Sequence, residues 1–347
     1  MSAATHTPAP LPGGMSAYSP RESDLDDLVR LLRRHEREAR GWPGAQSDTV
    51  RAEVSGRGAS THRHEMVRDV DGTARVWLSL HDRAAGRVLV GVTIDPDLSD
   101  EEADPLAAWA FDRVEELAHE LLDERGMERT QLDSGAFADD ERQQRWLRAA
   151  GYEHVRDWWQ MSRPVDRTVD AGAPELREGV QIFRVRQDDG VGMPDEEDLR
   201  AVHLVLEESF ADHFNSYRES FGEFVQRLRE DPWHRWDHWW IAEVELDGRQ
   251  EAGGALISSV SPADRQGRFG SYIDYIGVHR RSRGRGVAKE LLRTVVADTA
   301  QRRRHWVGLE VDADSPTGAV GLYRSLGWEV DHSTRSWHKD VAAAPRA

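Results

Sequence analysis

The sequence predicts an α/β protein made of two tandem copies of one mixed-sheet domain. Three observations predict it. Segments of strand character alternate with segments of helical periodicity through both halves of the chain. A helix that stops at glycine and enters a strand through an aromatic residue occurs twice, as Trp146-Leu147-Arg148-Ala149-Ala150-Gly151-Tyr152 and as Leu322-Tyr323-Arg324-Ser325-Leu326-Gly327-Trp328. Between the halves, residues 166–178 (DRTVDAGAPELRE) are polar and carry Gly and Pro, the composition of a linker. The expected organisation is therefore a disordered tail over residues 1–18, a first domain over 19–165, the linker over 166–178 and a second domain over 179–341.

The elements follow in order. Leu25, Leu28, Val29, Leu31 and Leu32 among charges give residues 22–40 the stripe of an amphipathic helix. Residues 76–80 (VWLSL) and 88–94 (VLVGVTI) read as strands joined by a turn near Ala85-Gly86. A long helix is expected over about 103–124, a short strand near 130–132, a helix over about 139–149 and a strand at 158–161 (WWQM). The second half repeats the order: a strand at 180–186, helices at about 195–210 and 217–229, and strands at 238–245, 252–260 and 270–278. A helix at about 286–302, a strand at 306–312, a helix at 316–326 and a last strand near 334–339 complete it. The stretch Val90-Gly91-Val92-Thr93-Ile94 also resembles Tyr275-Ile276-Gly277-Val278, so two copies of one fold is the economical account.

Composition narrows the chemistry. A chain of 347 residues with 38% hydrophobic and 31% charged residues fits a soluble two-domain protein. The net charge of −17 disfavours nonspecific binding to nucleic acid or to an anionic membrane, which are themselves negative. With no cysteine, the chain has no disulfide, no Cys-ligated zinc and no thiol nucleophile. The first residues lack the basic start and apolar core of a signal peptide, and no apolar run approaches the ~20 residues of a membrane span, so a cytoplasmic location is expected. His62 and His64 with Glu65 lack a helical His-Glu-x-x-His pattern, and no metal site is expected.

The most informative stretch is SYIDYIGVHRRSRGRGVAKELL, residues 271–292. A β-branched, aromatic strand runs into a basic turn with two glycines, which runs directly into an amphipathic helix. Gly284 and Gly286 let backbone N–H groups approach an anion, and the helix N-terminus adds partial positive charge. Arg281, Arg283 and Arg285 add full charges. The pattern is that of a diphosphate cradle. It does not give the third glycine and downstream acid that a Rossmann dinucleotide fingerprint requires.

Arg283-Gly284-Arg285-Gly286-Val287-Ala288 resembles the Gln/Arg-x-x-Gly-x-Gly/Ala signature of the GNAT N-acetyltransferase superfamily. The preceding strand with Ile276 and Val278, and the later Ser315-Pro316-Thr317-Gly318-Ala319 and Leu322-Tyr323 segments, resemble that superfamily's landmarks in the same order. The two-copy layout is similar to mycothiol synthase and related tandem GNAT proteins. The resemblance covers about residues 180–340 and implies two GNAT-like domains, each a mixed, splayed sheet flanked by helices. It implies that acetyl-CoA is the co-substrate and that a primary amine of a small molecule attacks it directly. The freed backbone of Ile276 and Val278 would meet the pantetheine. The amides of Arg283, Gly284, Gly286, Val287 and Ala288 would meet the diphosphate, with Arg285 and Ser315 beside it. Ser315, where the family often has Asn, reads as the cap of the following helix.

The resemblance also implies Tyr323 as the general acid that returns a proton to the CoA thiolate; a phenol has a suitable pKa, and a core tyrosine at helical spacing is the alternative. Asp274 and Glu310 are the expected general bases, with Asp312 and Tyr272 as alternatives; any of the carboxylates can instead be a solvated or ion-paired structural group. In the first copy, the equivalent of the cradle reads Asp95-Pro96-Asp97-Leu98-Ser99-Asp100-Glu101-Glu102, and Leu147 stands where Tyr323 does. That half is expected to be a degenerate GNAT-like domain. Phe210, His213, Phe214, Tyr217, Phe221, Phe224, Trp233, Trp236, Trp239 and Trp240 could wall the acceptor site, although aromatics at such spacing more often form core. A non-catalytic acyl-CoA-binding regulatory protein is the alternative function.

Overall fold

The computed structural model describes residues 11–56, 58–83, 86–187, 192–211, 219–264, 266–315 and 317–343. It divides into two compact units. The first holds the described residues up to Trp158, with Glu230–Pro232 and the chain from His332 on; the second holds Trp159–Arg229 and Trp233–Asp331.

In the first unit the strands are β1 (Ser16–Tyr18), β2 (His62–Arg68), β3 (Ala74–Arg83), β4 (Arg87–Ile94) and β5 (Arg129–Phe137), with residues 153–158 of β6 (Glu153–Pro164) and 332–342 of β12 (Glu329–Ala342). Their order is β1-β2-β3-β4-β5-β12-β6. The helices are α1 (Leu25–Arg40), α2 (Ser47–Val54), α3 (Asp100–Arg125) and α4 (Glu141–Ala149). Leu106, Ala110, Val114 and Leu117 of α3 pack on Leu78, Val90 and Leu132 of the sheet as one apolar cluster, while Leu28 and Leu31 of α1 pack with Met66 and Trp77 in another.

The second unit contains residues 159–164 of β6, then β11 (Trp306–Asp312), β10 (Gly270–Val278), β9 (Arg249–Ser261), β8 (His234–Leu246) and β7 (Val180–Arg184), in that order. Its helices are α5 (Arg167–Asp170), α6 (Glu196–Phe210), α7 (Phe221–Glu230, whose last residue falls in the first unit), α8 (Val287–Gln301) and α9 (Ala319–Ser325). Leu291, Leu292 and Val295 of α8 and Tyr323 of α9 bury one face of the sheet, against Leu256, Ile273, Val307 and Leu309. Leu199, Val202 and Leu206 of α6 and Phe224 of α7 bury the other, against Trp239, Ile241, Ala255 and Ile257.

Each unit contains a mixed sheet with one parallel pair that opens. β4 and β5 pair with each other from Arg87–Gln131 to Val90–Ser134 and then part, β4 staying paired with β3 and β5 with β12. β10 and β11 pair only from Ser271–Val307 to Ile273–Leu309, although they run on to Val278 and Asp312.

The expected boundaries need correction. Residues 1–18 are not a disordered tail throughout: residues 1–10 lie outside the described residues, but Ser16–Tyr18 pairs with β2. Tyr18 is held there because its hydroxyl donates to Asp24 (3.1 Å) and accepts from Arg68 Nε (2.6 Å). The linker 166–178 carries a turn of helix, α5, capped by Asp166, with Arg163 paired to Asp170 at 2.8 Å. The domains are not the continuous stretches 19–165 and 179–341, because residues 334–342 of the last strand pair with 129–137 of β5 in the first unit. Hydrophobic alternation identifies a strand, but a strand's partner is chosen by tertiary packing. Among the described residues, no helix is long and apolar enough to cross a membrane.

Candidate functional site

The opening between β10 and β11 is built by a bulge and by strand alternation. Asp274 is the extra residue where the β9–β10 register shifts between Ile273 and Tyr275. Beyond the bulge, the His279 N–H donates to Gly253 O at 3.0 Å, toward β9. Because backbone groups alternate sides along a strand, those of Ile276 and Val278 point the other way, into the opening. No hydrogen bond to those backbone groups is made on that side among the described residues.

The cradle stands at the end of β10. A 3₁₀ turn over Arg280–Ser282 leads to Gly284 and Gly286, at φ +78° and +82°, and α8 begins at Val287. These positive φ values are strained for any residue with a Cβ, which is why glycine recurs here. The Arg283 amide bonds weakly to Arg280 O (3.4 Å), so the expectation that it is free for a ligand is corrected. The amides of Gly284, Arg285, Gly286, Val287 and Ala288 meet no protein acceptor among the described residues. Gly254 lets α8 approach the sheet: a Cβ there would lie 2.5 Å from Val287 Cγ1.

The arginines are not equivalent. Arg281 is engaged by Asp247 (2.7 Å) and Glu251 (3.1 Å), and Arg285 donates to Glu245 O (3.2 Å). Arg283 is exposed and pairs with no carboxylate among the described residues. Sequence reasoning missed Arg177, which lies inside the stretch taken as linker; its Nε and Cζ lie 2.8 and 2.9 Å from where a Cβ on Gly286 would stand. No sequence signal marks it, since 109 residues separate it from Gly286 and only the fold brings them together.

The candidate proton-handling groups flank the opening from opposite faces. Ile276, Val278, Val287 and Tyr323 belong to the apolar cluster on the α8 side. Tyr323 is 7% exposed, its ring centroid is 6.2 Å from that of Trp328, and burial pushes its phenol up to about 12. Its hydroxyl bonds no protein group among the described residues. On β11, Val307, Leu309 and Val311 face that cluster, so Gly308, Glu310 and Asp312 face the other side. Tyr272 and Asp274 share that other face, and Ser259 Oγ donates to Asp274 Oδ1 at 3.1 Å. Glu310 keeps solvent access although many protein atoms surround it. Burial raises its carboxyl above the ordinary range, while a hydrogen bond from Gln160 Nε2 pulls it down. Burial, with the charges of Glu310 and Asp274, pushes the Tyr272 phenol well up, so it is a proton donor in hydrogen bonds rather than a base.

Two further expectations change. Ser315 does not cap α9: the helix begins at Ala319 behind Gly318 at φ +73°, and Ser315 Oγ pairs instead with Thr317 Oγ1 at 2.9 Å. The turn of Ser315 N–H back to Asp312 O (3.1 Å) keeps it out of the helix; Pro316 lies outside the described residues. Of the aromatic set, Phe224 and Trp239 are buried core, with Phe210, Phe221 and Trp236 packed against the same cluster. Trp240 packs on the cluster of the opposite face, and Trp233 lies near Phe269 with ring centroids 6.3 Å apart. His213, Phe214 and Tyr217 lie outside the described residues.

The corresponding parts of the first unit are filled by the protein itself. Asp95 N–H donates to Arg75 O, so alternation turns Val92 O into the β4–β5 opening, where the buried Gln143 amide donates to it at 3.1 Å. At the start of α3, Glu102 accepts from Ser99 N (3.0 Å) and Ser99 Oγ (2.9 Å), placing a carboxylate where α8 leaves its N-terminal amides open. Asp95 is sealed by Arg34 (3.0 Å) and Arg75 (2.6 Å).

Comparison with known proteins agrees with this architecture. Residues 208–328 match the model of the acetyltransferase (GNAT) family. Over 97% of this chain and 99% of the other, the structure is similar to a GCN5-related N-acetyltransferase from Sphaerobacter thermophilus, with 24% identity and a TM-score of 0.73. It is also similar to a tandem GNAT protein of the clavulanic acid biosynthesis pathway, at 13% identity over 96% of this chain and 100% of that one, with a TM-score of 0.64. N-myristoyltransferase of Saccharomyces cerevisiae, solved with myristoyl-CoA, gives 12% identity, 98% and 83% coverage and a TM-score of 0.54. At these identities the shared property is the fold. No curated protein matches the chain.

Proposed function

We propose that this chain, a GNAT-fold protein whose second unit carries the family's domain, is an acyltransferase that moves an acetyl group from acetyl-CoA to a primary amine of a small molecule by direct attack. One observation carries the reading. Beyond Ile273 the β10 edge is released from β11, and the chain runs on from that edge into a turn in which the amides from Gly284 to Ala288 have no protein acceptor among the described residues. Unpaired backbone needs partners, and a coenzyme with amides along one arm and a diphosphate at its end supplies both kinds.

Acetyl-CoA held there would supply an activated thioester. Ile276 and Val278 would bond the pantetheine arm. Gly284, Arg285, Gly286, Val287 and Ala288 would hold the diphosphate through their amides, with Arg283 and Arg177 adding charge. Ser315 is kept as a coenzyme contact on the family resemblance alone. Glu310, open to solvent and raised by burial, is the better placed base for the acceptor ammonium, with Asp274 on the same face as the alternative. Tyr323, protonated through neutral pH, would give a proton to the departing thiolate from the opposite face. An amine of the mycothiol-synthase type is one acceptor to include in a screen for CoA release, and a cytoplasmic location is part of the proposal.

The burial of Tyr323 in an apolar cluster favours one rival, a non-catalytic acyl-CoA-binding regulatory protein. CoA release with any amine in the screen decides against it.

Two outcomes are expected from calorimetry. Acetyl-CoA should bind at one site per chain, because the first unit fills its own opening with Gln143 and caps α3 with Glu102; a stoichiometry of two would refute this. Arg177→Ala should weaken acetyl-CoA by roughly three- to tenfold, the ~1 kcal/mol of one charge-assisted contact at an exposed position. Unchanged affinity would remove Arg177 from the cradle.

A further inference from the structure

We propose that Gln160 on β6 is the positioning residue for the Glu310 carboxylate, and that Tyr272 fixes Gln160 by reaching across β11 over the side-chain-free position Gly308. The proposal rests on the acetyl-transfer reading for the role of Glu310, but not for the geometry. Tyr272 on β10 is registered opposite Gly308 on β11. A Cβ on Gly308 would stand 3.1 Å from Tyr272 Cδ2 and 3.6 Å from Cε2, so the ring lies across the β11 backbone where any other residue would crowd it. The phenol thereby reaches a strand that β10 does not touch: Tyr272 Oη donates to Gln160 Oε1 at 3.1 Å, and Gln160 Nε2 donates to Glu310 Oε2.

The three groups form a directional chain. A phenol held protonated by its surroundings presents its O–H to the amide oxygen. The amide oxygen is then committed, and its N–H₂ end must face Glu310. The reverse orientation would set the amide oxygen against the carboxylate. The arrangement stabilises the charged, proton-accepting form of Glu310 and holds a side chain that is otherwise free to rotate into solvent. Other ionisable groups around Glu310 are Tyr272 and Asp274 on β10 and Asp312 two residues along its own strand. From β6, Ser162 is bonded to Asp331 (3.0 Å). No cation pairs with Glu310 among the described residues, which leaves Gln160 as the group that favours its ionised state.

The test uses the full chain with ¹³C-carboxyl-labelled glutamate, the Glu310 signal being assigned by its loss in Glu310→Gln. Gln160→Leu should raise the Glu310 titration midpoint by roughly one pH unit, since the hydrogen bond to the charged form is lost. The acid limb of kcat/KM should move up by the same amount, while acetyl-CoA affinity stays at the wild-type value. Tyr272→Phe, which keeps the ring, should shift both in the same direction by less, and it stands in if the leucine variant does not fold. An unmoved Glu310 midpoint in Gln160→Leu would overturn the proposal. So would a moved midpoint with a wild-type acid limb, which would separate Gln160 from catalysis. Failure of the wild-type protein to bind acetyl-CoA would instead overturn the acetyl-transfer reading, and the titration would still decide whether Gln160 governs Glu310.

Discussion

Replacing Gly286 with valine is expected to abolish useful acetyl-CoA binding, raising Kd at least about 100-fold, equivalent to ~2.7 kcal/mol. Two physical effects combine. Gly286 sits at φ +82°, where a side chain costs roughly 1–2 kcal/mol and a β-branched one more. The added carbon would also meet the Arg177 guanidinium at 2.8–2.9 Å. The turn must rearrange, and the amides of Gly284, Gly286, Val287 and Ala288 then lose the backbone conformation that the two left-handed glycines set. The apolar clusters lie beneath the turn and are untouched, so the variant should still fold, with a thermal midpoint within a few degrees of wild type on the scale of ~1–2 kcal/mol. Calorimetry with acetyl-CoA reads the first effect and a melting curve the second. A folded variant that binds acetyl-CoA normally would show that the diphosphate is held elsewhere.

Tyr323→Phe carries the second large expected effect: a fall in kcat of roughly 10²–10³-fold, the range of a lost general acid, with acetyl-CoA affinity unchanged within about twofold. Phenylalanine keeps the ring and its contacts with Trp328, so the apolar cluster survives and only the hydroxyl is lost. The hydroxyl bonds no protein group among the described residues, so no internal hydrogen bond breaks. The direction of the pH dependence follows from the phenol being held up near 12 by burial. Tyr323 carries its proton at neutral pH, so its loss lowers the whole plateau rather than moving a limb near neutrality. A kcat equal to wild type would make Tyr323 a packing residue and give weight to the regulatory alternative.

Much of the candidate site was legible because its chemistry is local. The cradle is a contiguous run in which glycine spacing, arginine content and the start of a helix all fall within ten residues, and the structure places Gly284 and Gly286 at positive φ just ahead of α8. Tyr323 was singled out by the resemblance of the Leu322-Tyr323 segment to the family's helix tyrosine, and its role remains a proposal. What could not be read were contacts whose partners are far apart in the chain. Arg177 meets Gly286 only once the segment before β7 folds back, and Gln160 meets Glu310 only because β6 lies beside β11. Ser315 was misread as a helix cap because Ser-Pro is a sound local signal that the left-handed Gly318 overrides.

The sequence by itself determined the types of most elements, though not β1, α2 or β2, and it determined the repetition of the fold and the glycine-rich turn ahead of α8. Periodicity, turn chemistry and glycine spacing act over a few residues and are written directly in the chain. Only the tertiary structure decided where strand pairing stops, which units the strands β6 and β12 serve, and which opening stays available. The first unit has a splayed pair like that of the second, yet the Gln143 side chain bonds to the Val92 carbonyl in the one, while the backbone groups of Ile276 and Val278 meet no such partner in the other among the described residues. That difference depends on which side chain the packing of a distant helix brings to a backbone carbonyl, and no local pattern encodes it.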